Sequence, residues 1–331
     1  MNTTEQKDTE SCGGSCSGSG SCSSRRDALK MVAGTAIASL GISGTTLLSG
    51  DSKPAILSEE EQRALSEDDF DEYFKKNYRV MTDDEKIDTI TRLENRIKVS
   101  SGKDVHISDA PAQEGVLFGY AFNLSRCNGS RKCIQACIDE NNQDRSTNIQ
   151  YIRMFQMDKG HFNLEHGTAN YDHDTMPDGK FFFGTQCHQC ENPPCVKVCP
   201  VGATWKENDG IVVIDYDWCV GCRYCQAACP YFARRFNWQE PVVPPEELNP
   251  EQHYLGNRMR SKGVMEKCTF CVQRSRQGEN PACVEACPTG ARVFGNLLDP
   301  HSEIRNILGT KKVFRLKEDL GTEPKFWYYM D

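Results

Sequence analysis

The spacing of one cysteine run constrains this chain more than any other feature. Cys219, Cys222, Cys225 and Cys229 follow the pattern C-x2-C-x2-C-x3-C, and Pro230 comes directly after the last of them. In such a run three thiolates bind the irons of one cluster, whereas the fourth ligates a neighbouring cluster. The run therefore predicts an iron–sulfur protein that carries at least one partner run elsewhere.

Three further cysteine groups can supply that partner. Fifteen of the eighteen cysteines in this chain of 331 residues fall into four tight groups. Besides the run above, these groups are Cys187, Cys190, Cys195 and Cys199 before Pro200; Cys268, Cys271, Cys283 and Cys287 before Pro288; and Cys127, Cys133 and Cys137. We expect a protein that carries electrons.

Two other uses of closely spaced cysteines agree less well with this pattern. Structural zinc takes four ligands per ion and has no use for the C-x2-C-x2-C-x3-C-P run. Disulfide frameworks are typical of small secreted domains, whereas 331 residues can bury a core without cross-links. Iron–sulfur ligation remains the best interpretation.

An internal repeat pairs the four groups. Residues 191–203 (ENPPCVKVCPVGA) and 279–291 (ENPACVEACPTGA) are identical at nine of thirteen positions, and CVGCRYCQAAC from Cys219 matches CNGSRKCIQAC from Cys127 at six of eleven. We interpret the chain as an α+β fold with two nested, pseudo-symmetric dicluster ferredoxin modules of the bacterial type. The inner module spans 184–261 with a proline-rich insertion, and the outer module spans 111–183 and 262–331.

The rule that the last cysteine of a group crosses to the other cluster assigns four ligand sets. Three sets have four thiolates and predict three [4Fe-4S] clusters. The sets are Cys187, Cys190 and Cys195 with Cys229; Cys219, Cys222 and Cys225 with Cys199; Cys268, Cys271 and Cys283 with Cys137; and Cys127 and Cys133 with Cys287.

The fourth set lacks one thiolate, because Ser130 stands where Cys222 stands in the other copy of the repeat. A serine hydroxyl is a much poorer iron ligand than a thiolate, and the ligand set determines cluster type and potential. Three outcomes are open: a [3Fe-4S] cluster, an atypical [4Fe-4S] cluster with Ser130 or water on the odd iron, or no cluster.

The first fifty residues indicate where the protein acts. Residues 24–30 (SRRDALK) fit the twin-arginine export pattern, and a weakly apolar stretch follows at 31–48. This route suits a protein that acquires its clusters before export. An arginine pair on a surface helix is the alternative. No A-x-A site follows, so cleavage of the signal stays open, as does the role of Cys12, Cys16 and Cys22 in the Ser/Gly tract.

Local patterns predict the elements around the cysteine groups. Residues 51–110 read as an acidic arm with two helices over 57–98, because capping boxes begin at Ser58 and Thr82. Residues 115–123 and 210–215 read as strands, 203–214 as a hairpin, and short helices are expected within the x3 segments. Residues 138–186 and 230–267 read as long loop insertions that carry contacts rather than core.

Charge and motifs exclude several classes of function. The net charge of −8 argues against a nucleic-acid partner, and no Walker loop, G-x-S-x-G or G-x-G-x-x-G motif is present. We therefore predict no catalytic residue in this chain. Basic residues flank the cysteine groups, and most such residues are solvated; they are Arg126, Arg131, Lys132, Arg223, Arg234 and Arg235.

From about Gly115 onward the chain resembles the four-cluster iron–sulfur subunits of the molybdopterin oxidoreductase family. These include the beta subunits of dimethyl-sulfoxide and polysulfide reductases and formate dehydrogenases, and the related subunit of quinol-linked nitrite reduction. The motifs that carry the resemblance are CHQCENPPCVKVCPVGA, CVGCRYCQAACPYFARRFNW, the C-x2-C-x11-C-x3-CP group and the tail FGNLLDPHSEI…LGTEPKFWY. The first 110 residues are not covered, apart from the export signal.

The resemblance implies an electron relay between a polytopic membrane quinone-binding subunit and a partner on the extracytoplasmic face. That partner is a molybdopterin enzyme or, since the family normally has cysteine at the position of Ser130, a multihaem cytochrome. It also implies that the inner module faces the membrane. A free-standing soluble polyferredoxin is the alternative, and the terminal substrate and the direction of electron flow stay open.

Overall fold

The computed structural model describes residues 82–147, 149–160, 162–164, 166–171 and 178–331. The twin-arginine pattern, the three cysteines of the Ser/Gly tract and the first helix expected in the acidic arm lie outside the described residues.

The described chain mixes short helices with short strands. The helices are α1 (Asp83–Ser101), α2 (Lys132–Glu140), α3 (Pro194–Lys197), α4 (Tyr224–Ala227), α5 (Val272–Ser275), α6 (Ala282–Glu285) and α7 (Glu303–Thr310). The strands are β1 (His106–Ser108), β2 (Phe118–Asn123), β3 (Arg153–Asp158), β4 (Lys180–Thr185), β5 (Thr204–Lys206), β6 (Val212–Ile214), β7 (Arg235–Phe236), β8 (Glu251–His253), β9 (Met265–Glu266), β10 (Arg292–Asn296), β11 (Val313–Phe314) and β12 (Phe326–Tyr329).

Helix α1 begins at the capping box that the sequence predicts. The Thr82 side chain accepts a hydrogen bond from the Glu85 amide, and the Glu85 carboxylate accepts one from the Thr82 amide. The helix ends at Gly102, whose φ of 72° a residue without Cβ adopts freely. Of the apolar residues on this helix, Leu93 and Ile97 are buried but Ile87 is 61% exposed, so the buried face covers only the C-terminal half of the helix.

The largest sheet has four strands in the order β10-β2-β12-β11. Strand β2 lies at its centre, antiparallel to β10 and parallel to β12. All six residues of β2 are buried, which agrees with an apolar run that has strands on both sides. The predicted strand at 115–123 is therefore confirmed, three residues shorter at its start.

The hairpin predicted at 203–214 is present as β5 and β6, which pair antiparallel from Thr204 opposite Ile214. Its turn contains Gly210 with φ of 81°, a conformation that favours glycine. Asp209 is buried at the same turn, and its carboxylate accepts a hydrogen bond from the Ile211 amide. The hairpin delivers the chain to the cysteine run that begins at Cys219.

Four helices begin one residue before the third cysteine position of their group, rather than after it. They are α2 at Cys133, α3 at Cys195, α4 at Cys225 and α6 at Cys283. The expectation that these helices start inside the x3 segments is therefore wrong by two residues. The helical turn places the third and fourth cysteines of each group on one helix or at its end.

The long insertions are part of the core, contrary to the sequence-based expectation. Strands β3 and β4 pair within the first insertion, and Tyr151, Phe182 and Phe183 are buried there. In the second insertion Leu248 and Tyr254 are buried. Proline and charge in these segments suggested loops, but their apolar residues are far apart in sequence and meet only in the fold.

Candidate iron–sulfur sites

All fifteen cysteines in the described residues are free thiols. Nine are buried, five are half-buried, and only Cys222 is exposed. Free thiols at this density keep the capacity to bind iron, which a disulfide would remove.

The loops that carry the cysteines have the same unusual backbone in both copies of the repeat. Gly129 and Gly221 have φ of 74° and 73°, and two residues later Arg131 and Arg223 have φ of 57° and 66°. Left-handed residues in such loops form concave nests of backbone amides, which favour anions. Non-glycine residues adopt this conformation at a cost, so the loop shape is over-determined by its surroundings.

Backbone amides within or next to the cysteine groups point at sulfur. Phe270, with φ of 54°, donates its N–H to the Cys268 Sγ at 3.4 Å. The Met265 amide donates to the Cys219 Sγ at 3.5 Å. Gln189 repeats the positive φ of Phe270 at the matching position of its own group. Such donors favour the thiolate, which is the form that binds iron.

We number the four candidate sites 1 to 4 in the order in which they follow one another through the protein. Site 2 brings together Cys268, Cys271, Cys283 and, from helix α2, Cys137. Burial raises the pKa of the Cys137 thiol well above its usual range, and the neighbouring Cys271, Cys268 and Cys283 raise it further. Asn141 Nδ2 lies 3.6 Å from the Sγ of both Cys137 and Cys271. The side-chain amide of Asn141 therefore contacts sulfur atoms from two segments that are more than 130 residues apart in sequence.

Site 3 brings together Cys187, Cys190, Cys195 and Cys229. Burial raises the pKa of Cys190 to about 12, and the charges of Cys187, Cys195 and Cys229 add to that shift. The pKa of Cys229 is raised by burial and also by Cys187 and Cys195, although backbone amides oppose the shift. The fourth thiol thus comes from the neighbouring cysteine group.

Site 4 is a small cavity with about 330 Å³ of empty space, part of it open to solvent. Its lining includes Cys219, Cys222 and Cys225 together with Cys199 of the preceding group. The guanidinium of Arg234 also lines it. Among the described residues, site 4 is therefore the one of the four sites with a solvent-exposed cysteine, Cys222.

Site 1 brings Cys127 and Cys133 together with Cys287. Burial raises the pKa of Cys127 to about 11, with Cys133 and Cys287 contributing. Ser130 is half-buried in the same loop, and its amide donates to Asn128 Oδ1 at 3.2 Å. The structure therefore brings three thiols to this site, with Ser130 in the loop that carries Cys222 in the other copy.

The four sites follow one another through neighbouring thiols. Each junction is marked by two cysteines of adjacent sites: burial raises the pKa of one of them, and the charge of the other raises it further. The pairs are Cys133 with Cys283 between sites 1 and 2, Cys187 with Cys268 between sites 2 and 3, and Cys195 with Cys225 between sites 3 and 4. The order is therefore 1, 2, 3, 4.

The donor sets suit clusters. Sites 2, 3 and 4 each offer four thiols from two segments, which is the ligand set of a [4Fe-4S] cluster. Within the described ranges, no three His, Cys, Asp or Glu side chains are arranged to hold a single metal ion.

The chain matches a family of known domains in its second half. The 4Fe-4S dicluster domain matches residues 179–244 and 254–297. These two segments contain twelve of the fifteen grouped cysteines.

Curated relatives match this chain over most of their own length. It is 40% identical over 223 residues to the putative iron-sulfur subunit of dimethyl sulfoxide reductase from Halobacterium salinarum, covering 64% of this chain and 78% of the relative. It is 36% identical over 211 residues to one of the chains of polysulfide reductase from Wolinella succinogenes, covering 63% and 92%. The iron-sulfur cluster-binding subunit of menaquinone reductase from Nitratidesulfovibrio vulgaris is 36% identical over 239 residues, covering 64% and 88%.

The protein belongs to this family of oxidoreductase iron–sulfur subunits. The resemblance inferred from the cysteine motifs is thus confirmed, and the chain is an electron-transfer subunit with ferredoxin-type dicluster domains. In the part of the chain that the structure describes, no helix is both long and apolar enough to cross a membrane.

One histidine of this iron–sulfur subunit, His188, lies inside a cysteine group. His188 is 1% exposed and stacks on Tyr231 and Phe326, with ring centroids 4.1 and 4.9 Å apart. Burial and the nearby Arg153 lower its pKa to about 3, so the ring is neutral near pH 7. Its role is to pack the wall beside site 3.

Sequence reasoning missed three residues of this iron–sulfur subunit that lie at or beside the sites. Tyr120 lies with its hydroxyl 3.3 Å from the Cys283 Sγ. Arg292 and Lys267 are buried next to sites 1 and 2. Lys267 directly precedes Cys268 and Arg292 follows Cys287 by five residues, which is a weak signal because most basic residues near such cysteines are solvated.

Proposed function

We propose that this chain relays electrons between a membrane quinone-binding subunit and an extracytoplasmic redox partner. The observation that carries the proposal is the linear order of sites 1 to 4, which ends at the exposed Cys222. A line of redox groups with one end at the surface suits transfer between two partners. The names of the relatives from menaquinone and polysulfide reductases support the same role.

The proposed cofactors are three [4Fe-4S] clusters at sites 2, 3 and 4 and a [3Fe-4S] or atypical [4Fe-4S] cluster at site 1. When bound, the clusters would supply one-electron chemistry that no side chain here offers. The protein's residues supply the thiolates, the amide donors and a buried environment. Ser130 in place of a cysteine supports the distinct cluster at site 1.

The ligand arrangement also supports two nested modules. Helix α2 of the first cysteine group packs on α6 of the last, and α3 packs on α4 between them. Each packed pair carries the third and fourth cysteine positions of two groups. The inner module thus holds sites 3 and 4, and the outer module holds sites 1 and 2.

The site 4 end is the proposed docking face for the membrane subunit. Large side chains are exposed beside Cys222: Tyr224 is 62% exposed and Val220 49%, and Trp238, whose ring lies 4.6 Å from the Arg223 guanidinium, is 66% exposed. Exposed aromatic residues around a redox site are typical of a protein interface. By resemblance, the inner module is the one that meets the membrane subunit.

The site 1 end is the proposed face for the second partner, which is a molybdopterin catalytic subunit or a multihaem cytochrome. Relatives named as reductase subunits favour the molybdopterin enzyme. A multihaem cytochrome is the second candidate, because Ser130 stands at this end where the family normally has cysteine.

The twin-arginine pattern at 24–30 supports export with the clusters already in place. The protein would then act on the outer face of the cytoplasmic membrane, with 51–110 as an arm. A free-standing polyferredoxin that shuttles electrons among soluble partners is the second candidate function, because an exposed Cys222 is equally open to a soluble partner.

Affinity purification from gently detergent-solubilised membranes, followed by mass spectrometry, tests the proposal. A polytopic membrane subunit together with a molybdopterin protein supports the relay of a reductase or dehydrogenase. A membrane subunit with cytochromes alone supports a quinol-linked relay without molybdenum. Release of the iron-loaded protein from membranes without detergent and without partners would overturn the relay in favour of the soluble shuttle.

A further inference from the structure

Buried basic residues in this protein fall into two classes. Seven arginine and lysine side chains are buried within the described ranges. Four of them form ion pairs with carboxylates: Arg258, Arg260, Arg276 and Lys325. The other three, Arg234, Lys267 and Arg292, have no Asp or Glu within ion-pair distance among the described residues. We call these three the junction cations.

Arg234 lies between sites 3 and 4. It is 1% exposed, and its Nη2 donates to the Cys195 Sγ at 3.0 Å and to the Thr204 hydroxyl at 2.9 Å. Its Nε and Nη1 are buried without a hydrogen-bond partner in the described part of the chain. The charges that act on it most are those of Cys195 and Cys225, one from each flanking site.

Arg292 lies between sites 1 and 2. It is 3% exposed and donates to the Tyr120 hydroxyl at 3.2 Å and to Gln186 Oε1 at 3.0 Å, both uncharged acceptors. The ionisable groups that act on it most are Cys133 of site 1, Tyr120 and Cys283 of site 2.

Lys267 lies between sites 2 and 3. It is 1% exposed, and its Nζ donates to the Cys268 carbonyl at 2.8 Å and approaches Gln189 Oε1 at 3.5 Å. Cys268 belongs to site 2, and Gln189 lies in the loop between two cysteines of site 3. Each of the three junctions along the line of sites therefore has one buried cation.

The repeat shows that the two arginines are not copies of each other. Arg292 aligns with Thr204, and Arg234 aligns with Asn142. Each module thus has one buried arginine between its two sites. In the inner module it follows the second cysteine group of the repeat unit, 219–229, whereas in the outer module it follows the group 268–287, which matches the first. A shared ancestral residue does not account for this placement, whereas a need for one positive charge at each position does.

A buried cation without a counter-charge costs several kcal/mol, so it persists only where an anion compensates it. The thiolates of two flanking sites are the anions at each junction. Nearby positive charge favours the more negative, reduced form of an iron–sulfur cluster and raises its reduction potential.

We propose that Arg292, Lys267 and Arg234 are tuning residues that raise the reduction potentials of the two clusters flanking each of them. The inference rests on the proposed clusters. Lys267 would link the two modules, because its charge acts on one cluster of each.

Redox titration followed by electron paramagnetic resonance, on the intact iron-loaded protein, tests the assignment. Arg234→Gln is expected to lower the ratio of reduced to oxidised cluster at least tenfold at sites 3 and 4, equal to 59 mV for one electron, and to leave sites 1 and 2 unchanged. Arg292→Gln is expected to lower the same ratio at sites 1 and 2, and Lys267→Gln at sites 2 and 3. Arg223→Gln removes an exposed charge beside Cys222. It is the control and is expected to change the ratio at site 4 less than threefold.

A uniform shift of all four clusters, or no shift at full iron content, would overturn the proposal. If a glutamine variant loses iron, Arg234→Lys, Arg292→Lys and Lys267→Arg keep the charge while changing the hydrogen bonds. A ratio of reduced to oxidised cluster within threefold of that in the unaltered protein then supports charge as the cause, and a tenfold fall in that ratio contradicts it. Iron content and cluster spectra of the unaltered protein test the proposed clusters separately.

Discussion

The hydroxyl of Tyr120 lies 3.3 Å from the Sγ of Cys283, inside the protein. Burial raises the pKa of Tyr120 well above its usual range, so the phenol stays neutral and keeps its proton. Burial also raises the pKa of the Cys283 thiol, and the hydrogen bond with Tyr120 opposes that shift. A neutral tyrosine is thus placed to donate to the Cys283 sulfur when that sulfur binds iron as a thiolate.

Replacing Tyr120 with phenylalanine removes this donor but keeps the ring that stacks on Phe326 at 4.9 Å. A hydrogen bond to sulfur favours the reduced cluster, and its loss costs about 1 kcal/mol. We expect the ratio of reduced to oxidised cluster at site 2 to fall three- to tenfold at fixed potential, measured by redox titration. Tyr151→Phe is the control, because the Tyr151 hydroxyl donates to Glu266 instead of a thiol. An equal shift in both variants would contradict the role of Tyr120.

Ser130→Cys restores the fourth thiol at site 1, and we expect it to raise the iron content by about one atom per chain and to change the cluster type. Anaerobic iron analysis and electron paramagnetic resonance report both. Ser125→Cys, an exposed position in the same segment, is the control and leaves both unchanged. Cys222→Ser is the reciprocal change, and it is expected to give site 4 the spectrum of site 1. Unchanged iron in Ser130→Cys would rule out Ser130 as the cause of the cluster type.

The sequence predicted what local spacing encodes. The hairpin β5–β6 and the start of α1 are confirmed because turn glycines and capping boxes act over a few residues. Burial of a single charged side chain depends on segments that are distant in sequence. For this reason Arg234 could not be separated from its solvated neighbour Arg223, although both flank the same cysteine run.

The insertions show the same limit. Their polar residues and prolines resemble loop sequences, yet Phe182 and Phe183 are fully buried. Phe182 packs where Gly129 leaves room in the site 1 loop, and Phe183 stacks on Tyr328 at 4.6 Å. These contacts join segments more than 50 residues apart, so no window of local periodicity contains both partners.

Gly129→Ala is expected to disrupt site 1. Gly129 has φ of 74°, and an added Cβ would lie 2.6 Å from the Phe182 ring. Overpacking and left-handed strain together cost about 2–4 kcal/mol. We expect a lower denaturation midpoint of the iron-loaded protein and loss of the site 1 signal. Gly115→Ala, at φ of 70° with no atom within 4 Å, provides the matched control with strain alone, about 1 kcal/mol. Equal losses in both variants would show that the contact with Phe182 is unimportant.

Arg260 and Glu266 form an ion pair with Arg260 Nε 2.7 Å from Glu266 Oε2 and with both side chains fully buried. Glu266 also accepts a hydrogen bond from Tyr151, and Arg260 donates to the Asn141 carbonyl beside site 2. Removing one partner leaves an uncompensated buried charge. We therefore expect Glu266→Gln to lower the free energy of unfolding by about 3–5 kcal/mol.

Denaturant unfolding of the iron-loaded protein measures this change, with Glu318→Gln as the control. Glu318 pairs with Arg315 at 3.0 Å, but its side chain is 55% exposed, so the loss is expected to stay below about 1 kcal/mol. The double variant Arg260→Met with Glu266→Gln removes both charges, and we expect it to recover part of the stability lost in Glu266→Gln alone. Additive losses in the double variant would show that the two charges do not compensate each other.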